Sequence, residues 1–249
     1  MRASQPFTRD DLRDFQTQLL DRAEEVVAMR EIAAGEKHPN VIGLRHDVDN
    51  TIEPCRELAE WEARHGVRST YFVLHDSPYW GDPELPRILG EIAGHGHEIG
   101  IHANAIAVAL ERGGDPDAIL YSAIERLRGW GHRVTGVVAH GDRICHRAQF
   151  VNDEQFLECV RPDYGPANRT LRYAGMELQL RPRPLADFGL EYDSIHLDRA
   201  MYLSDSGGQW NEEWNAIVAR FPNPFGQLHI LQHPCWWVRA FPTVAEVAA

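Results

Sequence analysis

Several apolar runs of this 249-residue chain end in side chains that can bind a cation or move a proton. His46, Asp47 and Asp49 follow the run beginning at Val41, His102 closes the run beginning at His97, His140 follows 134–139, and His233 follows 228–231. Carboxylate oxygens and imidazole nitrogens are the ligands used by zinc, iron, cobalt and related divalent ions, so the set has the donors of a metal site that keeps an open position. The Asp47-x-Asp49 spacing adds a second consideration. Two close carboxylates repel, and a cation held by one lets the other stay ionised and act as a base toward water on that cation. His97 lies inside its run, where an imidazole in a sheet buried on both faces serves as a structural hydrogen-bonding group. Cys145 and His146 are adjacent but lack spaced partners, so the pair is read as incidental rather than as a zinc site.

The elements that must position these residues follow from periodicity. Thr8 and Asp11 form a capping pair ahead of Leu12, Phe15, Leu19, Ala23 and Val26, which predicts one helix running to Gly35. A short buried strand over 41–44 ends in polar Arg45-His46-Asp47. A helix over 51–65 is stopped by Gly66, a strand occupies 70–74, and Asp82-Pro83 opens a helix. The strand 97–102, a helix from Asp115-Pro116 to Trp130 and a strand over 134–139 continue the alternation. Further on, 176–180 and 228–231 read as strands, and Asn211 as the cap of a helix ending at Arg220. Strands separated by helices imply βαβ units and a parallel sheet, either doubly wound or closed into a barrel. In both, polar residues just after strands gather at the C-terminal rim, where such folds place their sites.

With 43% apolar and 25% charged residues, the chain reads as one globular domain over 1–249. A formal charge of -12 argues against nucleic acid or an anionic bilayer as partner. Cys55, Cys145, Cys159 and Cys235 show no paired spacing and read as reduced thiols of a cytoplasmic protein. The segment MRASQPFTRDDLRDF has no apolar core of a secretion signal, and no apolar run reaches about 18 residues, so neither secretion nor membrane insertion is expected.

The ordered segments HDVD at 46–49, STYFVL at 69–74, GHEIGIH at 96–102, SDSGGQW at 204–210 and LHILQHP at 228–234 resemble the polysaccharide deacetylase superfamily, the NodB-homology or carbohydrate esterase family 4 group. The resemblance covers roughly residues 40–238 and leaves 1–39 as a helical extension. It implies an α/β fold, a distorted (β/α) barrel of about seven parallel strands, that hydrolyses an N-acyl group, usually N-acetyl. Asp47 matches the family's catalytic base, Asp49 and His102 two of its metal ligands, and His233 the histidine that protonates the leaving amine. One divalent ion is implied, zinc first, with cobalt, nickel or iron as alternatives.

The chain departs from the family at Ile106, where a second ligand histidine usually stands. The third ligand is therefore expected from His140, with water or His46 as fallbacks. AHGDR at 139–143 replaces the family's arginine-proline motif, and Arg143 is taken as the partner of the base and a substrate contact. Asp205 and Trp210 match the motif that orients the last histidine and lines the acyl pocket. Trp236 and Trp237 either stack on a sugar ring or fill the core. A small or carrier-linked acylamino substrate, an acetamido sugar of a biosynthetic route, fits better than an extracellular polymer. The alternatives are a non-catalytic carbohydrate-binding relative that has lost its metal, and hydrolysis of another amide, a ureide or a formamide, on the same scaffold.

Overall fold

The computed structural model describes residues 6–35, 40–160, 166–223 and 226–240. In chain order the elements are α1 (Arg9–Gln18), β1 (Glu25–Val27), α2 (Met29–Ala34), β2 (Val41–Val48), α3 (Glu53–Arg64), β3 (Thr70–Leu74), α4 (Leu85–Gly94), β4 (Glu98–Ala103), α5 (Ala105–Arg112) and α6 (Pro116–Gly129). They continue with β5 (Gly136–Ala139), α7 (Arg143–Ala148), β6 (Arg169–Tyr173), β7 (Met176–Leu180), β8 (Tyr192–Asp193), β9 (Met201–Ser204), α8 (Trp214–Arg220), β10 (Leu228–Gln232) and α9 (Pro234–Trp237). The main sheet runs in the order β8-β5-β4-β3-β2-β10-β9, with β1 added beside β2. This is the α/β architecture expected from the alternation of strands and helices. Among the described residues, no helix is long and apolar enough to cross a membrane.

The chain divides into two compact units. The first comprises residues 1–71, 81–98 and 198–249. In it β1, β2, β10 and β9 pair in parallel, with Leu228 opposite Ile42 and Met201 opposite Leu228. All eight residues of β2 are buried, as a parallel strand covered on both faces must be. Phe7, Phe15, Trp210, Trp214 and Trp237 form an aromatic cluster, in which the Phe7 and Trp237 rings stack with centroids 4.2 Å apart.

The second unit comprises residues 72–80 and 99–197. Here β4, β5 and β8 pair in parallel, with His102 opposite Val138. Asp115 accepts from the Asp117 N–H and Pro116 occupies the first turn of α6, as the sequence predicts. β6 and β7 form a separate antiparallel hairpin. Its two-residue turn, Ala174-Gly175, takes positive φ at both positions, 49° and 86°, the geometry that matches the twist of paired strands.

Three expectations need correction. The helix read from Thr8 to Gly35 is interrupted: α1 keeps its capping box, but Glu25-Val26-Val27 leaves helical geometry to pair with Val41, Ile42 and Gly43 of β2. Two adjacent valines favour a strand, and the main-chain hydrogen bonds of the sheet outweigh the helical spacing of Ala23 and Val26. Asn211 does not cap a helix. Its Oδ1 accepts from the Ser204 N–H at 2.7 Å, and α8 starts at Trp214. Asp82 accepts from the Glu84 N–H, turning the chain ahead of a helix that begins only at Leu85.

Candidate active site

Within the first unit, β2, β9 and β10 run parallel and deliver Asp47, Asp205 and His233 at or just past their C-terminal ends. Alternation along β2 sends Arg45 and Asp47 to one face and His46 to the other. Arg45 Nε lies 3.5 Å from Asp47 Oδ1, both side chains buried. The cation against the expected base is thus Arg45 from its own strand. Arg143 is instead 75% exposed on α7, with its guanidinium 3.9 Å from Glu111.

Asp205 is fully buried and serves as a triple acceptor. It takes the His233 N–H at 3.0 Å, His233 Nδ1–H at 2.7 Å and Trp237 Nε1–H at 2.8 Å. His233 Nε2 points toward Asp49, whose Oδ2 is 3.8 Å away. Burial by itself lowers the His233 pKa, but the hydrogen bond and charge of Asp205, with the charges of Asp47 and Asp49, raise it to about 9. At neutral pH this imidazole carries its proton, directed toward carboxylates. Asp205 thus holds both the backbone and the ring of His233. Trp237, 1% exposed, fills the core, while Trp236 is half-buried and its carbonyl accepts from the Phe7 N–H. Trp210 is held within the aromatic cluster, 5.7 Å from Trp214.

His46 is no fallback ligand. It is fully buried, its Nε2 is 2.7 Å from Glu62 Oε1, and it belongs to a network in which Glu62 also accepts from Ser69 and Tyr71. Burial pushes Glu62 up, yet the charges and hydrogen bonds of His46, His97 and Ser69 bring it below the ordinary carboxylate value. His97 is structural, as expected: Ser69 N–H donates to its Nδ1, and its Nε2 pairs with the Ala59 carbonyl.

Within the second unit, His102 is the penultimate residue of β4 and β5 leads into His140. His102 Nδ1–H donates to the Val138 carbonyl at 3.0 Å, which directs Nε2 toward His140 Nδ1, 3.3 Å away. A backbone acceptor on one imidazole nitrogen is the usual way of fixing the tautomer and aim of a metal-ligating histidine. Two nitrogens this close fit a shared cation as well as they fit a single N–H···N bond, so the donor chemistry suits a divalent ion. Ile106, at the position where the resemblance places a histidine, is fully buried in the first turn of α5. It packs in an apolar cluster with Leu110, Ile144, Phe150, Leu171 and Leu180, so that position contributes packing and no ligand.

Two features of the site escaped the sequence reading. Arg45 ends the run before Asp47, and only the strand face they share shows it to be that residue's partner. His75 directly follows β3, so the same rule that found His102 and His140 identifies it. Its Nε2 accepts from the Asn104 N–H at 3.0 Å, and Asn104 Nδ2 donates to Asp76 and Asp142. Burial, with the charges of His102 and His140 adding to it against that of Asp76, lowers His75 to about 4 and keeps it neutral. Asn152 Nδ2 donates to Asn104 Oδ1 and to the His140 carbonyl, tying the loop after β5 to this network.

No family model and no curated protein matches the chain. The structure is similar to that of a Streptococcus mutans CE4 esterase, with a TM-score of 0.44 and 14% identity over 90% of this chain and 86% of that one.

Proposed function

We propose that the chain is a metal-dependent hydrolase that removes an N-acyl group, acetyl first, from an amino sugar or a related small or carrier-linked compound. The observation that carries this reading is the His233 imidazolium, held protonated by buried Asp205 beside Asp47 and Asp49. A histidine acid and a carboxylate base side by side are what cleavage of an unactivated amide needs, since water must lose a proton and the departing nitrogen must gain one. We assign Asp47, steadied by Arg45, as the base that takes the proton from the attacking water. His233 Nε2–H protonates the leaving nitrogen, and Asp205 keeps that proton in place until transfer. His102 and His140, with Asp49, are the ligands we assign to one divalent ion, zinc first. Held by these residues, such an ion would supply Lewis-acid chemistry, polarising an acyl oxygen and lowering the pKa of a nearby water. Trp210 and Trp236 remain our candidates for contacts to substrate.

Rates on paired substrates test these roles. Asp47→Asn, nearly the same in shape, lowers kcat on an acetamido sugar by about 10² to 10⁴, with KM little changed. His233→Ala loses a comparable factor on amides and much less on activated aryl esters, whose leaving groups depart without a proton. Equal losses on amides and aryl esters refute the role of His233. Activity on ureides or formamides with none on acetamido sugars keeps the machinery and replaces the substrate class.

A further inference from the structure

A second group of metal-ligating side chains stands apart from those used above. We infer that Cys159, Asp193 and His196 form a cation site of the zinc class, built wholly within the second unit. One ligand atom from each lies within 4.8 Å of the other two. About a tetrahedral zinc such atoms are roughly 3.5 Å apart, so loading the site requires movements of about an ångström. Local structure sets the group up. Cys159 closes the 3₁₀ turn Leu157–Cys159, and Asp193 ends β8. Asp193 Oδ1 accepts from the Ile195 N–H at 2.7 Å and its carbonyl from the His196 N–H at 3.2 Å, a tight turn that folds the imidazole back over the strand end. A further carboxylate, that of Asp153, is 3.1 Å from His196 Nε2, close enough to orient the imidazole or to complete the ligand shell.

The donor set of thiolate, imidazole and carboxylate is the one zinc prefers. Cys159 is 1% exposed, Asp193 3% and Asp153 1%, so an ion held there is shielded from water. The His196 side chain is 34% exposed and provides the way in. Asp153 and Ile195 also line a cavity of about 730 Å³ that has His140 in its wall. An ion at Cys159 would therefore fix that wall by joining the loop after β8 to the turns around 153 and 159.

The test uses the full chain, stripped of metal and titrated with cobalt(II), then zinc. The ligands assigned to the hydrolytic ion contain no sulfur, so a thiolate-to-cobalt charge-transfer band reports a cysteine site, and its loss in Cys159→Ser assigns it to this one rather than to Cys55, Cys145 or Cys235. The expected result is a band that appears in the wild type, saturates at one equivalent in the Asp49→Ala/His102→Ala double variant, where this site alone remains, and is lost in Cys159→Ser. Asp153→Asn weakens zinc binding about 10- to 100-fold, His196→Asn removes a ligand and abolishes the band at one equivalent of cobalt, and both keep the wild-type circular dichroism spectrum. His196→Asn decides the matter if Cys159→Ser does not fold. Absence of the band in the wild type, its persistence in a folded Cys159→Ser or, if that variant does not fold, its persistence in His196→Asn overturns the inference and leaves the hydrolytic reading untouched.

Discussion

Replacing Asp205 by Asn removes one negative charge and leaves the size of the side chain unchanged. In the wild-type protein the His233 pKa stands at about 9 instead of the ordinary 6.5, a difference of roughly 3 kcal/mol between the two protonation states. Without the carboxylate, burial opposes only the charges of Asp47 and Asp49, and the pKa returns toward the ordinary value of about 6.5. At pH 8 the protonated fraction then drops from about 0.9 to about 0.03, a loss of roughly 30-fold in competent acid, whereas at pH 6 the loss is less than about twofold. The assay is acetate release from an N-acetylated amino sugar between pH 6 and 9, beside nuclear magnetic resonance titration of the His233 ring, which needs no substrate. The same pair contributes to stability. Because the folded-state pKa is raised, the contribution is fully present below about pH 6.5 and disappears as pH rises through about 9. The melting-temperature gap between wild type and Asp205→Asn therefore narrows at alkaline pH, apart from the constant loss of the Trp237 bond. A variant whose activity profile runs parallel to the wild type over this range, with His233 titrating unchanged, refutes the reasoning.

Glu62→Gln removes an acceptor from a buried network that includes Ser69, Tyr71 and His46, and lowers stability by about 1 to 3 kcal/mol in urea unfolding. Since the Glu62 pKa is depressed, its contribution is present above about 4.5 and lost as pH falls through the folded-state value, so the gap to wild type closes in acid. Gly100→Ala places a methyl group 2.5 Å from the Phe72 ring, which costs about 1 to 3 kcal/mol by overpacking. A wild-type unfolding midpoint for Gly100→Ala contradicts the packing described.

How much of the site was legible depended on the element. Where a buried strand ends in a polar side chain, periodicity located the residue, as with Asp47, His102 and His233, because a strand covered on both faces cannot hide its apolar run. Helices shorter than three turns were harder. The segment at 105–112 is only eight residues long and apolar nearly throughout its first turns, so its period does not separate helix from strand, and α5 with its buried Ile106 emerges only from the structure. The partner of Asp47 turned on side-chain direction: Arg45 and Asp47 are two residues apart on one strand face, a relation present in the sequence but overshadowed by the motif reading that favoured Arg143. The break at 25–27 was illegible for another reason, since its hydrogen-bonding partners lie in β2, and a local period does not report pairing with a distant strand.

An anomalous-diffraction map at the metal edge, collected from crystals of the metal-loaded protein, tests the central claim most directly. The account expects an ion within about 2.3 Å of nitrogens of both His102 and His140 and of an Asp49 oxygen. A loaded, active protein whose map shows no ion on His102 and His140 contradicts it.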